Sequence, residues 1–368
     1  MSEKAFLVAI GFKGEPAYRL SESLRELEEL TRSAGGMIVE GMKVFLERPH
    51  AATYLGIGKL EEIHGRLDAT KADLLIFNQN LSPVQMRNIE SSVGGRRVVD
   101  RTGLILDIFS RRAQSHEGRL QVELAQLLYL MPRLTGRGVL LSRLGGGIGT
   151  RGPGEKKLEY DRRRIRERIG RLKKETEKIR RHRLLIRQGR QRKDFATVAI
   201  IGYTNAGKST LLNSLTGSSV LVEDKLFATL DPTTRIFRRA DRQILFTDTV
   251  GFITDLPPNL IEAFQATLEE MGEADLLLHI VDVTHSQAGE QKEAVDKILK
   301  QLHFDDKPIV TVLNKVDLIA SEEEKQRLVH HYPGSVSVSA KYRQGLETLI
   351  EKVESCLKER NSHRDSSF

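Results

Sequence analysis

Cysteine is almost missing from this 368-residue chain: Cys356 is the only one. That excludes an internal disulfide and a Cys-based zinc site. Long apolar runs are missing too, and none approaches the roughly twenty residues of a bilayer crossing. The first apolar run, residues 5–10, has six residues, too short for the core of a secretory leader. The expectation is a soluble, cytoplasmic protein with no membrane span.

Charge is present but unevenly spread. Residues 151–193 hold 19 Lys/Arg against 6 Asp/Glu, a net +13, and with +8 on the whole chain the remainder carries −5. A solvated helix face is the bland explanation of any charge run. At this density a polyanion is the better partner, with nucleic acid first among them.

Length allows two or three domains. Residues 5–10, 37–46, 73–77 and 97–100 read as strands alternating with helical patterns at 21–34, 59–68 and 83–93. Ser21 and Ser82 stand where N-caps belong, and Pro83 suits a first helical turn. The alternation implies a mostly parallel sheet over residues 1–112. Leu120, Leu124, Leu127, Met131 and Leu134 then recur at fours and threes, and Leu158, Ile165, Leu172, Ile179 and Ile186 every seven, with Ile169 between. Both stripes are narrow, so an antiparallel helical hairpin is expected over 113–194. Its tip carries eight glycines between Thr135 and Gly154. A flexible connector is one reading; a loop this long between two helices, with Arg137, Arg143 and Arg151, fits a binding loop better. Residues 195–358 form the third expected domain and 359–368 a flexible tail. Because the paired stripes satisfy each other, a monomer is expected.

Chemistry concentrates in the third domain. Gly202-Tyr203-Thr204-Asn205-Ala206-Gly207-Lys208-Ser209, followed by Thr210, fits GxxxxGK[ST] without mismatch. In order come Phe227-Ala228-Thr229-Leu230-Asp231-Pro232-Thr233-Thr234, Asp248-Thr249-Val250-Gly251, Asn314-Lys315-Val316-Asp317 and Ser339-Ala340-Lys341. Apolar runs at 197–201, 243–247, 309–313 and 335–338 read as strands leading into four of these motifs, the setting in which open α/β sheets bind ligands. Backbone N–H groups of the first motif suit a β-phosphate, and Lys208 the β- and γ-oxygens. Ser209, Asp248 and Thr229 are the Mg²⁺ candidates, with Thr233 competing for the place of Thr229. Gly251 can turn its N–H to a γ-phosphate; with Lys208 and Thr229 it forms the expected catalytic set. The Asp317 carboxylate can accept from guanine N1–H and the 2-amino group, donors that adenine lacks there, which selects GTP over ATP. Lys315 can lie along the base, and the Ala340 N–H can meet the guanine carbonyl. Phe252 stands where Ras-like enzymes place a Gln that orients the attacking water, so unaided hydrolysis should be slow. Asn205 matches an Asn that coordinates K⁺ in some related GTPases, making K⁺ a further expected ion.

Through the 227–234 motif, Asp-Thr-Val-Gly-Phe at 248–252, and the Gly-rich stretch 145–155 before a basic helix, the chain resembles the HflX family in the Obg–HflX branch of translation GTPases. The resemblance covers nearly the whole chain. It implies a multidomain α/β protein with a C-terminal P-loop G domain and binding to the 50S ribosomal subunit and its 23S rRNA through 113–194 and the N-terminal domain. It also implies GTPase stimulation by large subunits and splitting or rescue of stalled 70S ribosomes under stress. Two other readings stay open on the residues: a nucleotide-gated scaffold or signalling GTPase whose basic hairpin meets another anionic partner, and an RNA-modification GTPase. Against the latter, no extra catalytic cluster is visible.

Overall fold

The computed structural model describes residues 3–134, 153–191, 195–218, 223, 225–239, 242–254, 265–304 and 306–365, without the side chains of 153–158, 183–191, 265–267 and 360–365. The chain separates into two compact units: Met1–Arg111 with Arg119–Lys178, and Arg112–Gly118 with Ile179–Phe368. Of the expected hairpin segment, 119–178 group with the first unit, and 113–118 and the residues after Lys178 with the second.

In the first unit, β1 (Lys4–Phe12), β2 (Met37–Leu46), β3 (Leu74–Phe77) and β4 (Arg97–Val99) form a parallel sheet in the order β2-β1-β3-β4. β1 and β3 read as unbroken apolar runs because each lies between two neighbours with both faces covered. Helices α1 (Ala17–Ser33), α2 (Ile57–Thr70) and α3 (Pro83–Ser92) connect the strands. The Ser82 expectation holds in full: its hydroxyl accepts from Gln85 N–H at 3.2 Å and the Gln85 side chain accepts from Ser82 N–H at 2.9 Å, a capping box with Pro83 behind it. Ser21 is a correction. α1 starts a turn earlier, after Pro16, so Ser21 lies inside the helix and its hydroxyl donates back to the Ala17 carbonyl. Helix α4 (Arg101–Arg112) was not anticipated, and it buries Leu104, Ile105, Leu106, Ile108 and Phe109.

Helix α5 spans His116–Leu130 and α6 Pro153–Gln191. Leu120 and Leu124 are buried on α5, and Ile169 and Leu172 on α6. Arg168 forks onto the Glu123 carboxylate at 2.7 and 2.6 Å, and that hydrogen-bonded cation holds the Glu123 carboxyl below its usual range. Most of the Gly-rich stretch, 145–152, lies outside the described residues; 153–155 open α6.

The second unit is a six-stranded sheet in the order β10-β9-β8-β5-β7-β6. Its strands are β5 (Ala196–Gly202), β6 (Thr233–Arg239), β7 (Arg242–Asp248), β8 (Leu276–Asp282), β9 (Ile309–Asn314) and β10 (Val336–Ser337). All pair in parallel except β6 with β7. Helices α7 (Lys208–Thr216), α8 (Gln265–Glu273), α9 (Ala288–Gln301), α10 (Glu322–His331) and α11 (Leu346–Asp365) complete it. Val198 and Ile200 of β5 join the apolar cluster that holds Leu211 and Leu349. Ala199 and Ile201 join another with Met271 and Leu299. That alternation is the period-2 signature of a strand covered on both faces, and it leaves the C-terminal strand ends free to carry loops.

Candidate nucleotide-binding site

β5 ends at Gly202, and the next residues wrap into the N-terminus of α7. Gly207 sits there at φ 94°, where a Cβ would overlap the Asn314 amide. Only glycine meets both conditions. Asn205, at φ 63°, is the non-glycine residue type that tolerates the left-handed region best, and it borders the cleft. Lys208 is 6% exposed and donates to the Tyr203 carbonyl at 2.7 Å. Burial lowers its ammonium from the ordinary value to about 8, while the Asp248 charge pulls it back upward.

Asp248 closes β7 with no exposed surface. Its Oδ2 accepts from the Ser209 hydroxyl at 2.6 Å, and Ser209 Oγ lies 2.9 Å from Thr229 Oγ1. Burial raises the Asp248 carboxyl; Lys208 and the Ser209 and Thr229 hydroxyls work against it. Asp248 Oδ1 is buried without a hydrogen-bond partner among the described residues. The competitor Thr233 is paired with Asp248 in the β6–β7 register, and its hydroxyl donates to the Asp231 carbonyl at 3.5 Å.

Around these groups opens a cleft of about 420 Å³, continuous with solvent, lined by Thr204, Asn205, Gly207, Lys208, Ser209, Thr210, Phe227, Ala228, Thr229 and Gly251. Glu223 and Lys225 also line it, which the sequence reading missed because no motif marks them. Several motif residues serve the frame. Thr249 donates to the Ile200 carbonyl at 2.7 Å; Val250 and Leu230 are buried, as is the Phe227 ring. Asp231 gives its carboxylate to Gln114 and Ser115. The Phe252 ring is buried with Ala199, Ile201 and Met271, and its backbone exchanges hydrogen bonds with Gly202 and Thr204. The water-orienting position is thus occupied by a core side chain.

The base-side loops interlock. Asn314, at the end of β9 and 2% exposed, donates to the Ala206 carbonyl at 2.8 Å and accepts from the Ala340 N–H at 3.0 Å. The same Ala340 N–H is the group expected to reach a guanine carbonyl. Lys315, at φ 67°, pairs with Asp282 at 2.6 Å, which fixes the end of the stem expected over the base. Asp317 lies in a 3₁₀ turn with Val316, half-buried and without a hydrogen bond among the described residues. Buried Ser339 accepts from Tyr342 N–H, and Lys341 lies over the Tyr342 ring.

A doubly covered α/β sheet with this phosphate loop and an Asn-Lys-x-Asp loop defines a P-loop GTPase. Residues 21–110 match the family model for the GTP-binding GTPase N-terminal region, 112–190 its middle region, and 197–315 that of a 50S ribosome-binding GTPase. The chain is 48% identical over 353 residues to GTPase HflX of Caldanaerobacter subterraneus, covering 96% of this chain and 80% of that one. It is 44% identical to GTPase HflX of Escherichia coli K12, with 95% and 82% covered. Among solved structures it resembles the GDP complex of SsGBP, at 26% identity and TM-score 0.53, with 98% and 99% covered. The GDP complex of a GTP-binding protein from Sulfolobus solfataricus, also at 26% identity and covering 98% and 99%, gives a TM-score of 0.50. The chain belongs to the HflX family of GTPases, and its reaction is hydrolysis of GTP to GDP and phosphate.

Proposed function

We propose that this GTPase binds the 50S ribosomal subunit, uses Mg²⁺ for GTP hydrolysis, and splits or rescues stalled 70S ribosomes. One pairing supports the ribosomal reading: a G domain matched by the 50S ribosome-binding family model, preceded by a +13 arm suited to rRNA phosphates. Stimulation by the large subunit agrees with Phe252, whose buried ring leaves water orientation to another group.

For the metal, the residues fit. Ser209, Thr229 and Asp248 offer hard oxygen donors, and Asp248 Oδ1 is a buried acceptor with no partner among the described residues. Mg²⁺ bound there would neutralise charge on the β- and γ-phosphate oxygens. Lys208, which lines the same cleft, would add its positive charge to those oxygens. Gly251 lines the cleft where its N–H can report a γ-phosphate, and Asp317 would select guanine. Asn205 is the K⁺ candidate; unchanged hydrolysis on replacing KCl with NaCl removes that role. The cytoplasm and a monomeric state are proposed with it.

GTP hydrolysis with and without purified 50S subunits, in potassium buffer, tests the reading. Strong stimulation supports it. Unchanged slow turnover overturns the ribosomal partner and favours a GTPase whose basic helices meet a different anionic partner. Deleting residues 145–155 should spare nucleotide binding and impair action on ribosomes; full action without them makes the stretch a spacer.

A further inference from the structure

Asp231 lies two residues beyond Thr229, and both its oxygens are taken up by a distant segment of the same unit. Oδ2 accepts from the N–H groups of Gln114 and Ser115 at 2.9 and 2.8 Å, and Oδ1 accepts from the Ser115 hydroxyl at 2.5 Å. Ser115 Oγ in turn accepts from the Gly118 N–H at 2.8 Å, in the first turn of α5. Gly118 has no side chain because a Cβ there would overlap Asp231 Oδ1. A carboxylate at a helix N-terminus is favoured by the unsatisfied N–H groups and the helix dipole. A further tie to the same segment is the Arg112–Glu223 ion pair at 2.7 Å, on the stretch that enters the loop. The loop from Phe227 to Thr233 is thus fixed by a buried ring at its start, a strand at its end, and a charged anchor in between.

We propose that Asp231 is a positioning residue for GTP hydrolysis: its hydrogen bonds to residues 114–115 hold the loop so that Thr229 stays against Ser209. This rests on the reading that Thr229 serves the metal. The reasoning is geometric. Two residues span at most about 7 Å of chain, so an anchor at Asp231 restricts where Thr229 can move. A released loop would have to be ordered anew in every turnover.

The test uses the full chain with Asp231→Asn, Gly118→Ala and Thr229→Ala, in potassium buffer. Four quantities are read: kcat, KM, the Mg²⁺ concentration for half-maximal rate, and affinity for a fluorescent GDP. Asp231→Asn and Gly118→Ala should each lower kcat about tenfold, the factor expected for losing a hydrogen bond to a charged group. Both should raise the Mg²⁺ requirement and leave GDP affinity within about twofold, the readout a merely structural role would not spare. The double variant should be no worse than either alone, since both break one anchor. The proposal is overturned if kcat stays within about twofold, if kcat rises, or if GDP affinity falls in parallel with kcat. Thr229→Ala isolates the metal reading: an unchanged Mg²⁺ requirement there removes Thr229 as a ligand, and the anchor is then judged on kcat alone.

Discussion

Asn314→Ala removes a side chain that joins two loops of the candidate site. The wild-type amide donates to Ala206 at 2.8 Å and accepts from Ala340 at 3.0 Å, and all three residues are at most 2% exposed. Alanine leaves a carbonyl and an N–H buried without partners, each costing about 1–3 kcal/mol. Together the loss is about 2–6 kcal/mol, less whatever an entering water restores. With a urea slope of about 3 kcal/mol/M for a domain of this size, the unfolding midpoint should fall by about 1 M. The chain contains no tryptophan, so far-UV circular dichroism is the probe. Asn314→Asp refines the result: it keeps an acceptor for Ala340 and sets a carboxylate against the Ala206 carbonyl. Its loss should equal or exceed that of alanine. A midpoint shift below about 0.2 M for Asn314→Ala, or unchanged GDP affinity, would refute the bridging role.

Asp317→Asn removes an acceptor meant for two guanine donors and should weaken GTP binding by about a hundredfold or more, measured by fluorescent-nucleotide titration; a loss under about threefold refutes base reading by that carboxylate. Ser82→Ala removes the capping box of α3 and should lower stability by about 1 kcal/mol in chemical denaturation, an effect that vanishes if the cap is dispensable. Stability should also decline in acid through His279. Burial lowers the ring from its ordinary 6.5, although Asp296, 3.4 Å away, favours the charged form. The unfolded chain therefore takes up the proton first, and stability falls as pH drops below about 6.5. Asp296 adds a lower step: burial raises its carboxyl, but the nearby His279 ring and the hydrogen bond from Lys292 at 2.7 Å outweigh that and bring it to about 2. Its stabilisation is lost as pH falls from the ordinary 3.8 toward that value. Melting temperatures between pH 7 and 5 should fall more steeply in wild type than in His279→Gln; equal slopes remove His279 as the cause.

The phosphate loop was legible because its residues meet a local demand: strand, tight turn, helix N-terminus, with lysine and serine at fixed offsets. The same holds for Ser82, whose cap involves residues three apart. What stayed hidden depends on long-range partners. Nothing near Asp231 announces that its acceptors' donors lie 116 and 117 residues away. The Asn314 side chain likewise meets partners 108 and 26 residues away, Ala206 and Ala340, which no local pattern marks. Ser21 has the look of a cap because serine before a helical pattern commonly is one, whereas the extended Pro16 sets the start of α1. α4 is hard to read in the sequence because it starts two residues after β4, with no turn signal at the boundary.

The Asn314 bridge also bears on the kinetics of nucleotide capture. Because the loops at the ends of β5 and β9 and the loop after β10 are bonded to one another, guanosine meets a surface that needs little rearrangement. Little ordering entropy is left to be lost on that side. On the proposed roles, base identity and phosphate count are read by different parts of the site.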